Sequence, residues 1–140
     1  MVKHWLRILA LCLCPAGVSA ATIVALDEPK LVQSVDAIAF GSVIRTQVKT
    51  HKKYGVYTEA TVEVYDGLLG TKKGDVLTVK VPGGKLPNSQ KALVSGAPTL
   101  VAGERFFAYL EKRNNSYVPW GLAYGWLRVR KSMDGAFLVS

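Results

Sequence analysis

Between Thr58 and Val81 apolar and polar residues alternate with period two, a pattern that specifies strands and excludes an amphipathic helix. Ala60, Val62 and Val64 project to one side of the first run, and Glu59, Thr61, Glu63 and Tyr65 to the other. After the turn Gly70-Thr71-Lys72-Lys73-Gly74 the alternation resumes, with Leu77, Val79 and Val81 set against Val76, Thr78 and Lys80. Two such runs about a glycine-bounded turn predict an antiparallel hairpin with one buried face.

Five further strands follow from the same criteria. Ala37 to Val48 is rich in apolar and β-branched residues, and Gly41 within it predicts a bulge or a sharp bend. Arg105 to Glu111 and Tyr117 to Leu122 flank the polar turn Lys112 to Ser116, while Trp126 to Arg130 and Ala136 to Val139 flank Asp134-Gly135. Only Leu26 to Val35 has helical spacing, with Pro29 suited to a first turn. Seven short strands and one short N-terminal helix predict an all-β, small antiparallel barrel, because closure removes the edges that an open sandwich exposes. Gly41, Gly121 and Gly125 are the points at which strands would coil to close it.

Residues 1–20 are expected to be a secretion signal and 21–140 a single domain. Lys3 and Arg7 charge the start, Ile8 to Cys14 is uncharged and apolar, and Val18-Ser19-Ala20 supplies a small-residue cleavage point. A bilayer-spanning helix needs about 20 apolar residues, and Pro15 and Gly17 end this run too early. Export predicts a secreted or periplasmic address with no stable membrane span after cleavage. Removing Lys3 and Arg7 takes the net charge from +8 to +6, which either attracts anionic envelope polymers or serves solubility alone. The basic pairs Lys52-Lys53, Lys72-Lys73, Lys112-Arg113 and Arg130-Lys131 look scattered over turns.

Both cysteines, Cys12 and Cys14, belong to the signal, so the mature domain has one histidine, His51, and no thiol. Cysteine catalysis is excluded on that ground, a zinc site is not expected, and no metal or cofactor is expected. No serine stands in a Gly-x-Ser-x-Gly elbow. Gly83-Gly84-Lys85 lacks the first glycine, the hydroxyl residue and the helix of a phosphate-binding loop. Glu59 and Glu63 share a strand face and are the candidate pair for a carboxylate-dependent hydrolase, although such pairs are ordinary on solvated strands. Tyr117, Trp120, Tyr124 and Trp126 near Arg128 and Arg130 would form a stacking platform if exposed, and core filling if not; export argues against nucleic acid.

One connection is unusually long. Pro82 to Pro98 is either a functional loop or a plug that tucks Leu86, Leu93 and Val94 over an open barrel end.

Val81-Pro82-Gly83-Gly84, Val94-Ser95-Gly96-Ala97-Pro98, Gly103-Glu104-Arg105 and Gly121-Leu122-Ala123-Tyr124-Gly125 add a resemblance. With Asp36 to Val43 and Thr61 to Gly70, they make the chain similar to a family of exported bacterial small β-barrel proteins bearing VPGG, VSGAP and GLAxG motifs. Tyr124-Gly125-Trp126-Leu127 departs from that family's Gln-Gly-Lys-Phe. The strand order also resembles the netrin-like, OB-type barrel of metalloproteinase inhibitors, which implies an OB-like or netrin-like fold. Those inhibitors chelate zinc through a disulfide-pinned N-terminal cysteine, which the mature chain lacks.

The expected function is therefore a non-enzymatic binding domain recognising a protein or an anionic polysaccharide of the envelope. The alternatives are a hydrolase and an accessory or inhibitory domain acting on an exported peptidase. The residues expected to contact a partner are Gly83, Gly84, Lys85, Ser95, Gly96, Tyr124 and Trp126.

Overall fold

The computed structural model describes residues 27–135 and 137–139; the expected signal and its cleavage point lie outside them. A short helix α1 (Glu28–Ser34) precedes nine strands: β1 (Ala37–His51), β2 (Gly55–Leu69), β3 (Val76–Pro82), β4 (Gly84–Lys85), β5 (Lys91–Ala92), β6 (Arg105–Arg113), β7 (Ser116–Pro119), β8 (Trp126–Lys131) and β9 (Phe137–Val139). Pro29 sits in the first turn of α1, as its fixed φ favours. Leu31 and Val35 bury against Ile38, with Phe107, Tyr109 and Trp120 packed around them. The helix thus seals the outside of the barrel wall.

Hydrogen bonding runs β1–β2–β3–β7–β6 and returns to β1, closing a five-strand ring. The fold is a small all-β barrel. Its pairings are antiparallel except β3–β7, which meet in parallel at Val79 and Tyr117, a departure from the all-antiparallel expectation. β6 is the hub: β1 lies on one edge, while β7 and then β8 share the other.

The expected alternation holds. Ala60, Val62, Val64, Val79, Val81, Phe106, Ala108 and Leu110 fill the interior. Glu63, Tyr65 and Val76 face solvent, and Glu59, Thr61, Thr78 and Lys80 are only partly covered. Trp126 stacks on Phe106 at 4.4 Å between ring centroids and 19° between planes. Its Nε1–H is buried without an acceptor, so it contributes by packing alone.

Three register shifts bend the β1–β2 hairpin, between Val43 and Arg45 on β1 and opposite Tyr65 and Leu68 on β2. Each extra residue turns outward, which is why Ile44, Tyr65 and Leu68 are exposed apolar side chains. Gly41 lies beside the bulge at Phe40, pressed between β2 and β6, and fulfils the expected bend. The other two glycines do not coil a strand. Gly121 and Leu122 adopt left-handed φ values of 56° and 59°, which ends β7 at Pro119 and starts a single 3-10 turn, Leu122–Gly125. The expected strand to Leu122 is shortened accordingly.

β1 and β2 run farther than expected, through His51 and from Gly55. Beyond the barrel neither face of the hairpin is buried, so no apolar period marks this extension.

Candidate functional site

Thr46 and Val48 of β1 and Thr58 of β2 form one wall of a pocket, and the long connection after β3 forms the other. Val81-Pro82 delivers the chain to Gly83, whose N–H donates to the Val56 carbonyl and whose own carbonyl accepts a 2.8 Å hydrogen bond from the buried Thr58 hydroxyl. Gly83 has φ +87°, and a Cβ there would sit 2.6 Å from the Ala92 carbonyl oxygen. Gly84 presses on the side chains of Thr58 and Val48, with a Cβ there 2.6 Å from the first and 3.0 Å from the second. The Gly-Gly pair is therefore needed to lay the connection flat against the hairpin, and the pocket begins at that point.

The connection then forms its own small ribbon, β4 against β5, turned by Leu86 to Gln90. Asn88 braces the turn by accepting from the Gln90 backbone N–H and donating to its side chain. At the far end Leu100 is buried in the barrel core, and Arg128 donates to the Thr99 carbonyl while pairing with Glu104 at 3.2 Å. Leu100 fills the position expected of Leu86, Leu93 and Val94. Leu93 is 86 % exposed and Val94 43 %, so those two do not plug the barrel.

Between these walls lies a pocket of about 320 Å³. Val48, Pro98 and Leu100 give it an apolar lining, Thr46, Thr58 and Thr99 supply polar groups, and Lys85 and Lys91 stand at the ribbon. The two lysines are direct neighbours across β4 and β5. Like charges placed opposite each other destabilise a ribbon, and no ion pair to either occurs among the described residues.

The surrounding charge has one sign. No aspartate or glutamate occurs between Asp36 and Glu59 or between Asp75 and Glu104, the two stretches that build this end of the barrel. Arg45, Lys49, Lys52, Lys53, Lys80, Lys85 and Lys91 all belong to them. At the hairpin tip Tyr54 stacks on His51 at 4.8 Å, with the Lys53 ammonium 5.3 Å from the Tyr54 ring centroid. Of the basic pairs that look scattered over turns, Lys52-Lys53 belongs to these stretches, while Lys72-Lys73, Lys112-Arg113 and Arg130-Lys131 lie outside them.

Glu59 is the exception within this end. It lies between Lys49 at 2.7 Å and Lys80 at 3.7 Å on the outer face of β1, β2 and β3. The hydrogen bond from Lys49 holds its carboxyl below the ordinary value, and the same bond raises Lys49. A lowered carboxylate pKa stabilises the fold at neutral pH, and that contribution is lost as pH falls through the lowered value, below 4.5. The thermal midpoints of wild type and Glu59→Gln should accordingly differ near neutrality and converge in acid; a difference independent of pH would contradict this. Glu63, four residues along the same strand, lies about 13 Å away by strand rise, beyond the about 5–10 Å that paired carboxylates use in glycoside hydrolysis.

The residues expected to contact a partner divide into three places. Gly83, Gly84 and Lys85 line the pocket together. Ser95 and Gly96 lie on the outer side of the same connection, where the Gly96 carbonyl accepts from Ala123 and brings Tyr124, 69 % exposed, alongside. Trp126 is 4 % exposed and inside the barrel, where it has no surface to offer a partner. Trp120 and Tyr117 also pack against core residues, so the four aromatics make no stacking platform and only Tyr124 is open. Lys91, Thr46 and Val48 are site residues that the sequence motifs did not single out. The two acid-free stretches were the available signal.

A small all-β barrel carrying a basic-rimmed pocket at one end is the class that fold and site define. No protein-family model, curated protein or solved structure matches the chain.

Proposed function

We propose that the protein is a non-enzymatic binding domain of the secreted or periplasmic space that takes an anionic partner at the basic end of its barrel. The observation that carries this is the Lys85–Lys91 pair, held side by side at a pocket whose lining, among the described residues, includes no acidic side chain. Such an arrangement costs stability in the free protein and is relieved when an anion binds between or beside the two ammonium groups. The apolar lining of Val48, Pro98 and Leu100 adds contact area, and the surrounding lysines accelerate encounter.

Fluorescent poly-L-glutamate is a suitable probe, followed by anisotropy at low and high salt. Binding is expected at low ionic strength and should weaken as the Debye length shrinks from about 10 Å at 0.1 M salt to about 3 Å at 1 M. Reversing both charges, Lys85→Glu with Lys91→Glu, should weaken it by at least about tenfold, or 1.4 kcal/mol, without lowering thermal stability. Reversing Lys72 and Lys73, away from the pocket, should change it little. Equal losses in the two double variants would overturn the assignment of the site.

A further inference from the structure

β1 offers a second binding element beside the pocket, its own unpaired edge. β6 pairs only with Ala37 to Ser42, and the Val43 backbone is taken up by Gly103 and Glu104. From Arg45 to Thr50, beyond the bulged Ile44, the strand remains paired with β2 on one side, while its other side has no ladder partner among the described residues. Ile44, Arg45, Thr46 and Gln47 are exposed in succession, as both faces of a projecting edge would be. The seven residues from Ile44 to Thr50 extend about 23 Å, a full strand's length. This segment contains no proline or glycine to blunt it, and Ile44, Thr46, Val48 and Thr50 favour extended backbone. Thr46 and Val48 are also pocket wall, so an occupant of the edge lies next to the cavity.

Charge selects the occupant. A second copy pairing antiparallel about Gln47 would set Arg45 of each chain opposite Lys49 of the other; Glu59 pairs with Lys49 but is shared with Lys80, so this face stays net positive and opposes self-association. A strand carrying glutamate or aspartate at alternate positions meets Arg45 favourably, on a face where Lys49 and Lys80 share the single carboxylate Glu59, and lies within the field of Lys52, Lys53, Lys85 and Lys91. We propose that the β1 edge from Ile44 to Thr50 binds an extended acidic peptide segment of a protein partner by strand addition, with residues on its inward face reaching the pocket. This rests on the anionic site proposed above and specifies its ligand as polypeptide.

Backbone chemistry separates strand addition from charge attraction. The probe is a pool of fluorescein-labelled octapeptides alternating glutamate with threonine or valine, together with two analogues N-methylated at odd or at even positions. Methylation keeps every charge but removes the donors along one peptide edge. An added strand uses one edge, so one analogue should bind like the parent and the other at least tenfold more weakly, with amide exchange slowing within Ile44 to Thr50. If both analogues bind like the parent, or the parent fails to bind, strand addition is wrong. Slowing of the same amides by a sulfated oligosaccharide of matched charge, with no discrimination between the analogues, would overturn it in favour of a polymer ligand. Under any of these outcomes, the Lys85→Glu and Lys91→Glu double variant reports separately whether the anionic site itself stands.

Discussion

Gly41→Ala is expected to remove about 3 kcal/mol or more of stability, a large share of the roughly 5–15 kcal/mol that a domain of this kind has. Gly41 is buried where β1 passes from β2 to β6, paired with Val64 on one side and Phe106 on the other. A Cβ there would fall on the Glu63 carbonyl oxygen, and it would also sit 3.2 Å from the Phe106 ring. The first obstacle is strand backbone, which cannot yield as the end of a flexible side chain does. Relief requires β2 to move away from β1 and opens the ring at the bulge that permits its curvature. Urea denaturation gives the measurement: the midpoint should fall sharply, and a midpoint equal to that of wild type would show that this crossing is not a tight point of closure.

Phe106→Ala should cost about 3–5 kcal/mol. Phe106 is completely buried in the barrel interior, and its removal strips Trp126 of its stacking partner. Trp126 has no hydrogen bond to hold its ring in place, so the loss falls on packing that nothing else secures. Phe106→Leu retains most of the volume and should cost less, about 1.5 kcal/mol. Calorimetric unfolding of the two variants provides the comparison. Equal losses would mean that ring stacking and cavity size do not govern the core, whereas a loss below about 1 kcal/mol for alanine would mean that the site collapses around the deletion.

The barrel was legible wherever a face is buried, because burial imposes the period-two pattern from Thr58 to Val64 and from Leu77 to Val81. Gly41 could be read for the same reason, since glycine inside an apolar strand has few other uses. The projecting part of β1 and β2 carries no such imprint, so its extent appeared only in the structure. Trp126 shows a different limit: a tryptophan near arginines has the same sequence signature on a platform and in a core, and only packing against Phe106 separates the two. Lys85 and Lys91 lie six residues apart, and the turn from Leu86 to Gln90 makes them neighbours; sequence spacing alone does not. Gly83-Gly84 was singled out as a contact motif, and its geometry explains it through the close approach of backbone to Thr58, Val48 and Ala92.

The central claim is that the basic end of the barrel is where a partner binds. Titrating the protein with poly-L-glutamate while following backbone amide shifts tests that location most directly. Shifts concentrated in Ile44 to Tyr54 and Gly83 to Leu100, and abolished together by Lys85→Glu with Lys91→Glu, are the expected result. Shifts centred instead on Asp66 to Asp75 or around Tyr124, and unaffected by the double variant, would contradict it.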